Sequence, residues 1–263
     1  MLGYAAMNDP GFAQLQSRLQ ARHGERLTPA QWYRLEGVVT MDPFVARARE
    51  TSLAVWLEGV DPRGDVHHLE ERMRLAWIRH VERVAGWTPE AWRGAVRWWG
   101  VLPDLEVARW QARMNDRVGG GFLRNPERDA AEGRSPVFWG EAYPWFARLD
   151  GIERLEIPAD VIDLFDWWLA RWRRFMPEGA TQAREWREWR RLAHAVRASL
   201  IAWDASGKEG LGWESRLLLE RQFRRQALRP GALFIHLGLA ALDLIRLRGA
   251  LCRRALFAQA EAA

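Results

Sequence analysis

The sequence contains one cysteine, Cys252, and one lysine, Lys208, and each scarcity excludes something. A lone cysteine cannot close an intramolecular disulfide, which fits a reducing compartment. Its simplest reading is a small buried hydrophobe in a helix rather than a nucleophile. Long apolar runs are scarce as well. The most apolar stretch, Gly231 to Leu242, has twelve residues, includes His236 and is followed by Asp243, Arg246 and Arg248. A bilayer span needs about 20 apolar residues, so a buried helix of a soluble protein is expected there. Met1 to Asp9 carries neither the basic start nor the apolar run of a secretory signal, and a cytoplasmic location is expected. Strand patterning is missing too. No segment alternates apolar and polar residues between hairpin turns, so the expected fold class is all-α.

What the chain does have is aromatic and cationic. It holds 17 tryptophans, and removing the single lysine from 39 basic residues leaves 38 arginines. Tryptophan contributes heavily to core and interface burial, and arginine stacks on its rings or grips carboxylates with a forked geometry. This is a vocabulary for packing and macromolecular contact. The 263 residues suffice for one large core or two smaller ones. Formal net charge is +5, unevenly spread. Residues 163–263 carry 18 basic and 11 acidic side chains, and the remainder 21 and 23, so the C-terminal part is electropositive.

Helical punctuation recurs along the chain. Phe12, Leu15 and Leu19, with a stop at Gly24, outline a first helix. Thr28-Pro29-Ala30-Gln31 is a capping box ahead of Trp32 and Leu35. Asp42-Pro43 opens a short helix with Phe44, Val45 and Ala48. Asp65 caps a long one whose inner stripe is Leu69, Met73, Trp77 and Val81. Thr88-Pro89-Glu90 starts the next, with Trp92, Val96 and Trp99 inward, and Pro103-Asp104 starts a sixth. Residues 118–136, with Gly119 to Gly121 and Asn125-Pro126, lack periodicity and are expected to be a loop or lobe junction. It separates an N-terminal helical lobe, 1–117, from a C-terminal one, 137–263. In the latter, helices are expected over Val161 to Met176, Ala180 to Ala205, Trp213 to Leu228 and Gly231 to Gln259. Ser206 to Gly210 is expected to be a turn.

Candidate chemistry is thin. His67, Glu70 and Glu71 share a helical turn, with His80 further along, a spacing that suits metal ligands. No HExxH and no second His/Glu helix accompany them, so a solvated polar face is the simpler reading. Ser206-Gly207-Lys208 lacks the strand, the earlier glycine and the following hydroxyl residue of a phosphate loop. Gly119 to Gly121 lacks the context of a dinucleotide site, and no GxSxG elbow is present. Asp163 and Asp166 are explained by helix-start charge. No catalytic residue, cofactor or metal is therefore expected. Arginines recur at 171, 173 and 174, at 184, 187, 190 and 191, and at 221, 224 and 225, interleaved with tryptophans. A cationic groove with aromatic platforms holds single-stranded nucleic acid, although acids at helical spacing and core periodicity favour packing and salt bridging.

The last helix, Phe234 to Gly249, resembles the closing helix of the C-subunit family of V-type/A-type ATPases, known as the d-subunit family in the eukaryotic enzymes. There, an apolar helical run leads to an acidic residue and then to a Leu-Arg pair. Asp243 stands at the acidic position and Leu247-Arg248 at the pair, while Arg246 replaces the asparagine that usually precedes it. An early arm of short capped helices with Arg47, Thr51 and Leu53 is similar to that family's first lobe. The resemblance implies a funnel of helical lobes and a non-enzymatic subunit between the membrane rotor ring and the central shaft. It implies a role in proton or ion transport, peripheral on the inner membrane face through protein partners, with no small-molecule substrate. It also implies that Asp243, Arg246, Leu247 and Arg248 are structural or interface residues. A helical nucleic-acid-binding protein is the alternative.

Overall fold

The computed structural model of the protein describes residues 10–104, 164–206 and 209–262. The chain divides into two compact units, one of residues 1–96 and 176–263 and the other of residues 97–175. The expected junction at 118–136 lies outside the described residues. Among the described residues every regular element is a helix, and the fold is all-α.

In the larger unit, α1 (Pro10–Gly24) buries Phe12, Leu15 and Leu19. α2 (Pro29–Glu36) begins at a complete capping box. The Thr28 hydroxyl accepts from the Gln31 backbone N–H at 3.3 Å, and the Gln31 Oε1 accepts from the Thr28 N–H at 2.8 Å. Such a cap stabilises a helix by roughly 1 kcal/mol. α3 (Met41–Arg49) buries Phe44, Val45 and Ala48, and a short 3-10 turn, Ser52–Trp56, follows. α4 (Val66–Trp87) starts where Asp65 Oδ1 accepts from the His68 N–H at 2.7 Å. Its four-residue stripe of Leu69, Met73, Trp77 and Val81 is buried throughout. α5 (Glu90–Arg97) turns Trp92, Ala95 and Val96 inward.

Beyond the 3-10 turn Glu178–Thr181 come α7 (Ala183–Ser206), α8 (Glu209–Arg225) and α9 (Pro230–Ala262), after α6 (Leu164–Phe175) of the other unit. α8 begins four residues before the expected Trp213, so Ser206, Glu209 and Gly210 of the expected turn are helical, while Gly207 and Lys208 lie outside the described residues. Glycine in a helix costs about 1 kcal/mol relative to alanine. The helix nonetheless runs through Gly210 and Gly212, and α8 packs against both α7 and α9. Pro103-Asp104 also departs from expectation: it closes a 3-10 turn, Trp98–Asp104, and the residues after it are outside the described ones.

α9 is the axis of the larger unit. Thirty-three residues long, it packs on α1, α3, α4, α7 and α8, and every residue from Gly231 to Leu244 is buried. A helix apolar all round belongs inside a core or a bilayer. Its apolar stretch is longer than the twelve residues apparent in sequence. Pro230–Leu256 is long and apolar enough, by length and composition alone, to cross a membrane. Within the protein 83% of its apolar 18-residue window is buried, as in the core helix of a globular fold. α7 crosses α9 at Gly238, where an added Cβ would lie 2.9 Å from both methyls of Val196. Around the crossing, Trp92, Trp189 and Phe234 meet at centroid separations of 5.5–6.2 Å, with Phe12 edge-on to Trp92.

The smaller unit has its own aromatic core, built by the 3-10 turn and α6. Trp98 and Trp168 are fully buried and exchange hydrogen bonds: Trp98 Nε1 donates to the Trp168 carbonyl at 3.0 Å, and Trp168 Nε1 to the Trp98 carbonyl at 3.4 Å. Each indole thus satisfies its polar atom inside the core. Trp99, Phe165 and Trp172 pack around Trp168 at 5.4–5.7 Å.

Candidate functional site

The polar residues of α9 serve to fasten it. Asp243 projects from the buried face toward two guanidinium groups. Arg216 of α8 donates through NH1 to Asp243 Oδ1 at 2.7 Å, and the Arg26 NH2 lies 2.7 Å from Oδ2. The Arg26 contact is an ion pair whose N–H is poorly aligned, whereas the Arg216 contact is also a hydrogen bond. All three side chains are nearly sealed, at 4–9% exposure. Arg216 further donates from Nε to Glu220 at 2.9 Å and from NH2 to the Leu27 carbonyl at 3.0 Å. One carboxylate therefore joins α9, α8 and the link between α1 and α2. Breaking such a buried pair leaves an uncompensated charge in the core, at a cost of about 3–5 kcal/mol.

Three arginines fasten the C-terminal half of α9. Arg246 grips both Glu36 oxygens at 2.6 Å, a forked pair, with its guanidinium 4.6 Å from the Trp32 ring centroid. Arg248 donates to Glu70 of α4 at 2.6 Å. Arg254 donates to the Val38 and Glu36 carbonyls at 2.9 Å and lies over Phe44. Leu247, between the first two, is fully buried.

Next to the Asp243 node lies a cavity of about 60 Å³. Its wall holds Arg22, Glu25, Arg26, His80, Arg83 and His236, closed on the apolar side by Leu53, Trp56 and Ala240. The two imidazoles stack at 5.7 Å, and Trp56 covers His80 at 4.7 Å. Among the described residues no group hydrogen-bonds to His80 Nε2, to either nitrogen of His236, or to Arg26 Nε. Burial, reinforced by Arg26, Arg83 and Arg22, pushes the His80 pKa down to about 3. Burial likewise holds His236 well below the usual imidazole range, with His80 and Arg26 adding to the effect. Both rings are neutral at pH 7.

His80 is thus buried, which corrects its assignment to a solvated polar face. Of its supposed companions, His67 and Glu71 are exposed and Glu70 is held by Arg248. Among the described residues no group of three His, Cys, Asp or Glu is placed to hold a metal ion. Cys252 is half-buried in α9, with its thiol 3.7 Å from Glu70, and burial raises its pKa. Asp166 is exposed, whereas Asp163, Gly119 to Gly121, Gly207 and Lys208 lie outside the described residues. Arg187, Arg190 and Arg191 of α7 and Arg221, Arg224 and Arg225 of α8 are exposed. In the smaller unit, Arg171 lies over Trp167 at 5.2 Å.

Sequence reasoning missed Arg26, Arg216 and His236. A signal for His236 existed: His236, Ala240 and Asp243 follow one another at helical spacing on one stripe of an otherwise apolar helix. Nothing in sequence marked Arg26 and Arg216 among 38 arginines. No family model, curated protein or solved structure matches the chain.

Proposed function

We propose that this chain is a non-catalytic coupling subunit of a V/A-type rotary ATPase, an adaptor between the membrane rotor ring and the central shaft in proton or ion transport. The observation that carries the reading is the fastening of α9. The acidic residue of the family-like pattern, Asp243, sits between Arg26 and Arg216, and the arginine of its Leu-Arg pair is bonded to α4. A torque-transmitting part needs a stiff, well-filled helical body more than it needs perturbed acids and bases at a surface. A central helix tied to its neighbours by buried charge pairs supplies that stiffness. On this reading the protein works at the inner face of the membrane through its protein partners.

Co-purification tests the reading. A tagged chain drawn from gently solubilised membranes brings down rotary ATPase subunits, identified by mass spectrometry, together with ATP hydrolysis. An eluate lacking those subunits sinks the proposal.

A second reading has one observation behind it. The exposed arginines at 187, 190 and 191 and at 221, 224 and 225 lie on α7 and α8, which pack side by side. A nucleic-acid-binding helical protein uses such a surface. Affinity for single-stranded RNA that falls steeply with salt favours that role, because phosphate contacts release counterions.

A further inference from the structure

The cavity beside Asp243 has no part in a purely mechanical role. We propose that it binds a small oxyanion, of phosphate or carboxylate size, between Arg22, Arg26 and Arg83, with a His80 or His236 N–H at its buried end.

Donors dominate this wall. Arg26 Nε, His80 Nε2 and both His236 nitrogens are buried and have no hydrogen-bond partner among the described residues. The acceptors nearby are already engaged. Asp243 faces Arg216 with one oxygen and Arg26 with the other, and Glu25 accepts from Arg22 at 2.8 Å. Leaving a buried polar atom unpaired costs roughly 1–3 kcal/mol, and a ring of such atoms on one cavity is uncommon in a structural core. A neutral imidazole presents one N–H, so each histidine can direct a donor inward. An oxyanion meets these donors with several lone pairs at once.

Charge and size agree with that occupant. Arg22, Arg26 and Arg83 line the cavity against Glu25 and Asp243, and Asp243 is further offset by Arg216. The local field is cationic: Arg22 and Arg26 act to lower the pKa of both imidazoles, and Arg83 that of His80. A cavity of about 60 Å³ has room for a small ion. Trp56 and Leu53 keep part of the wall apolar, which strengthens charge-assisted hydrogen bonds beside it. Arg22 and Arg83 are exposed and form the entrance, while Arg26 and the histidines form the depth.

The test uses the full chain and two probes, inorganic phosphate and acetate, titrated against chloride at matched ionic strength. Thermal unfolding and calorimetry read binding, and imidazole nitrogen resonances report on His80 and His236. A saturable rise in unfolding temperature is expected, with histidine resonances moving along the same isotherm. Saturation by phosphate assigns a tetrahedral oxyanion and saturation by acetate a carboxylate, and either supports the site. Arg83→Gln, at an exposed position that leaves the fold intact, weakens the affinity about tenfold, as loss of one charge-assisted contact does. A response that never saturates, or one that neither Arg83→Gln nor Arg22→Gln alters, overturns the proposal as a general salt effect.

Discussion

Mild acid should destabilise this protein through two histidines. His80 and His236 are buried and neutral in the folded chain, whereas in the unfolded chain each titrates near the ordinary value of 6.5. Below that value the unfolded state binds more protons than the folded one, so stability falls as pH falls. The loss begins near pH 6.5 and continues down toward the folded pKa, about 3 for His80. Between pH 7 and pH 5 one such group removes about 2 kcal/mol, and the pair about 4 kcal/mol. That is a large part of the 5–15 kcal/mol that holds a typical domain together. His23, whose pKa burial also lowers, acts in the same direction. The groups facing the pair do not reverse the sign. Arg22 and Arg26 near α1 and Arg83 on α4 repel an added proton, while Asp243 is shared with Arg26 and Arg216. Carboxylates ordinarily titrate near 4, mostly below this window. Urea unfolding at pH 5, 6, 7 and 8 measures the effect, with the slope against denaturant unchanged. The double variant His80→Leu/His236→Leu should flatten the pH dependence even if its own stability differs. A wild-type stability that is level or rising from pH 7 to pH 5 refutes the reasoning.

Other expectations follow from the ties of α9. Asp243→Ala strands Arg26 and Arg216 in the core and should cost about 3–5 kcal/mol in urea unfolding. Arg248→Ala, by contrast, removes a half-exposed pair and should cost no more than about 1 kcal/mol. Arg246→Ala should fall between them at about 2 kcal/mol, since it loses a forked carboxylate contact and the face of Trp32. Gly238→Ala should cost about 1–3 kcal/mol despite the better helix propensity of alanine, because Val196 is stiff and 2.9 Å away. Val196→Ala should restore part of that loss in the double variant, as a thermodynamic cycle will show.

How much of this was legible in the sequence depended on the range of the interaction. Thr28 with Gln31 and Asp65 with His68 lie within one turn, so their caps were written in the local pattern. The four-residue stripe of α4 followed from periodicity for the same reason. The start of α8 at Glu209 was hidden because glycines read as a turn until the packing of α7 and α9 is known. The partners of Asp243 were hidden more deeply. Leu27 is 189 residues from Arg216, and no periodicity links them. His80 was misplaced because its own helix offered polar neighbours, while the ring that buries it, Trp56, and the ring it faces, His236, come from other elements.

The proposed coupling role is tested most directly by comparing ATP hydrolysis with ion pumping in membrane vesicles prepared with and without this chain. Vesicles lacking it should fail to build an ion gradient from ATP hydrolysis, and adding back the purified wild-type protein should restore pumping. Pumping that proceeds equally well in its absence would contradict the account.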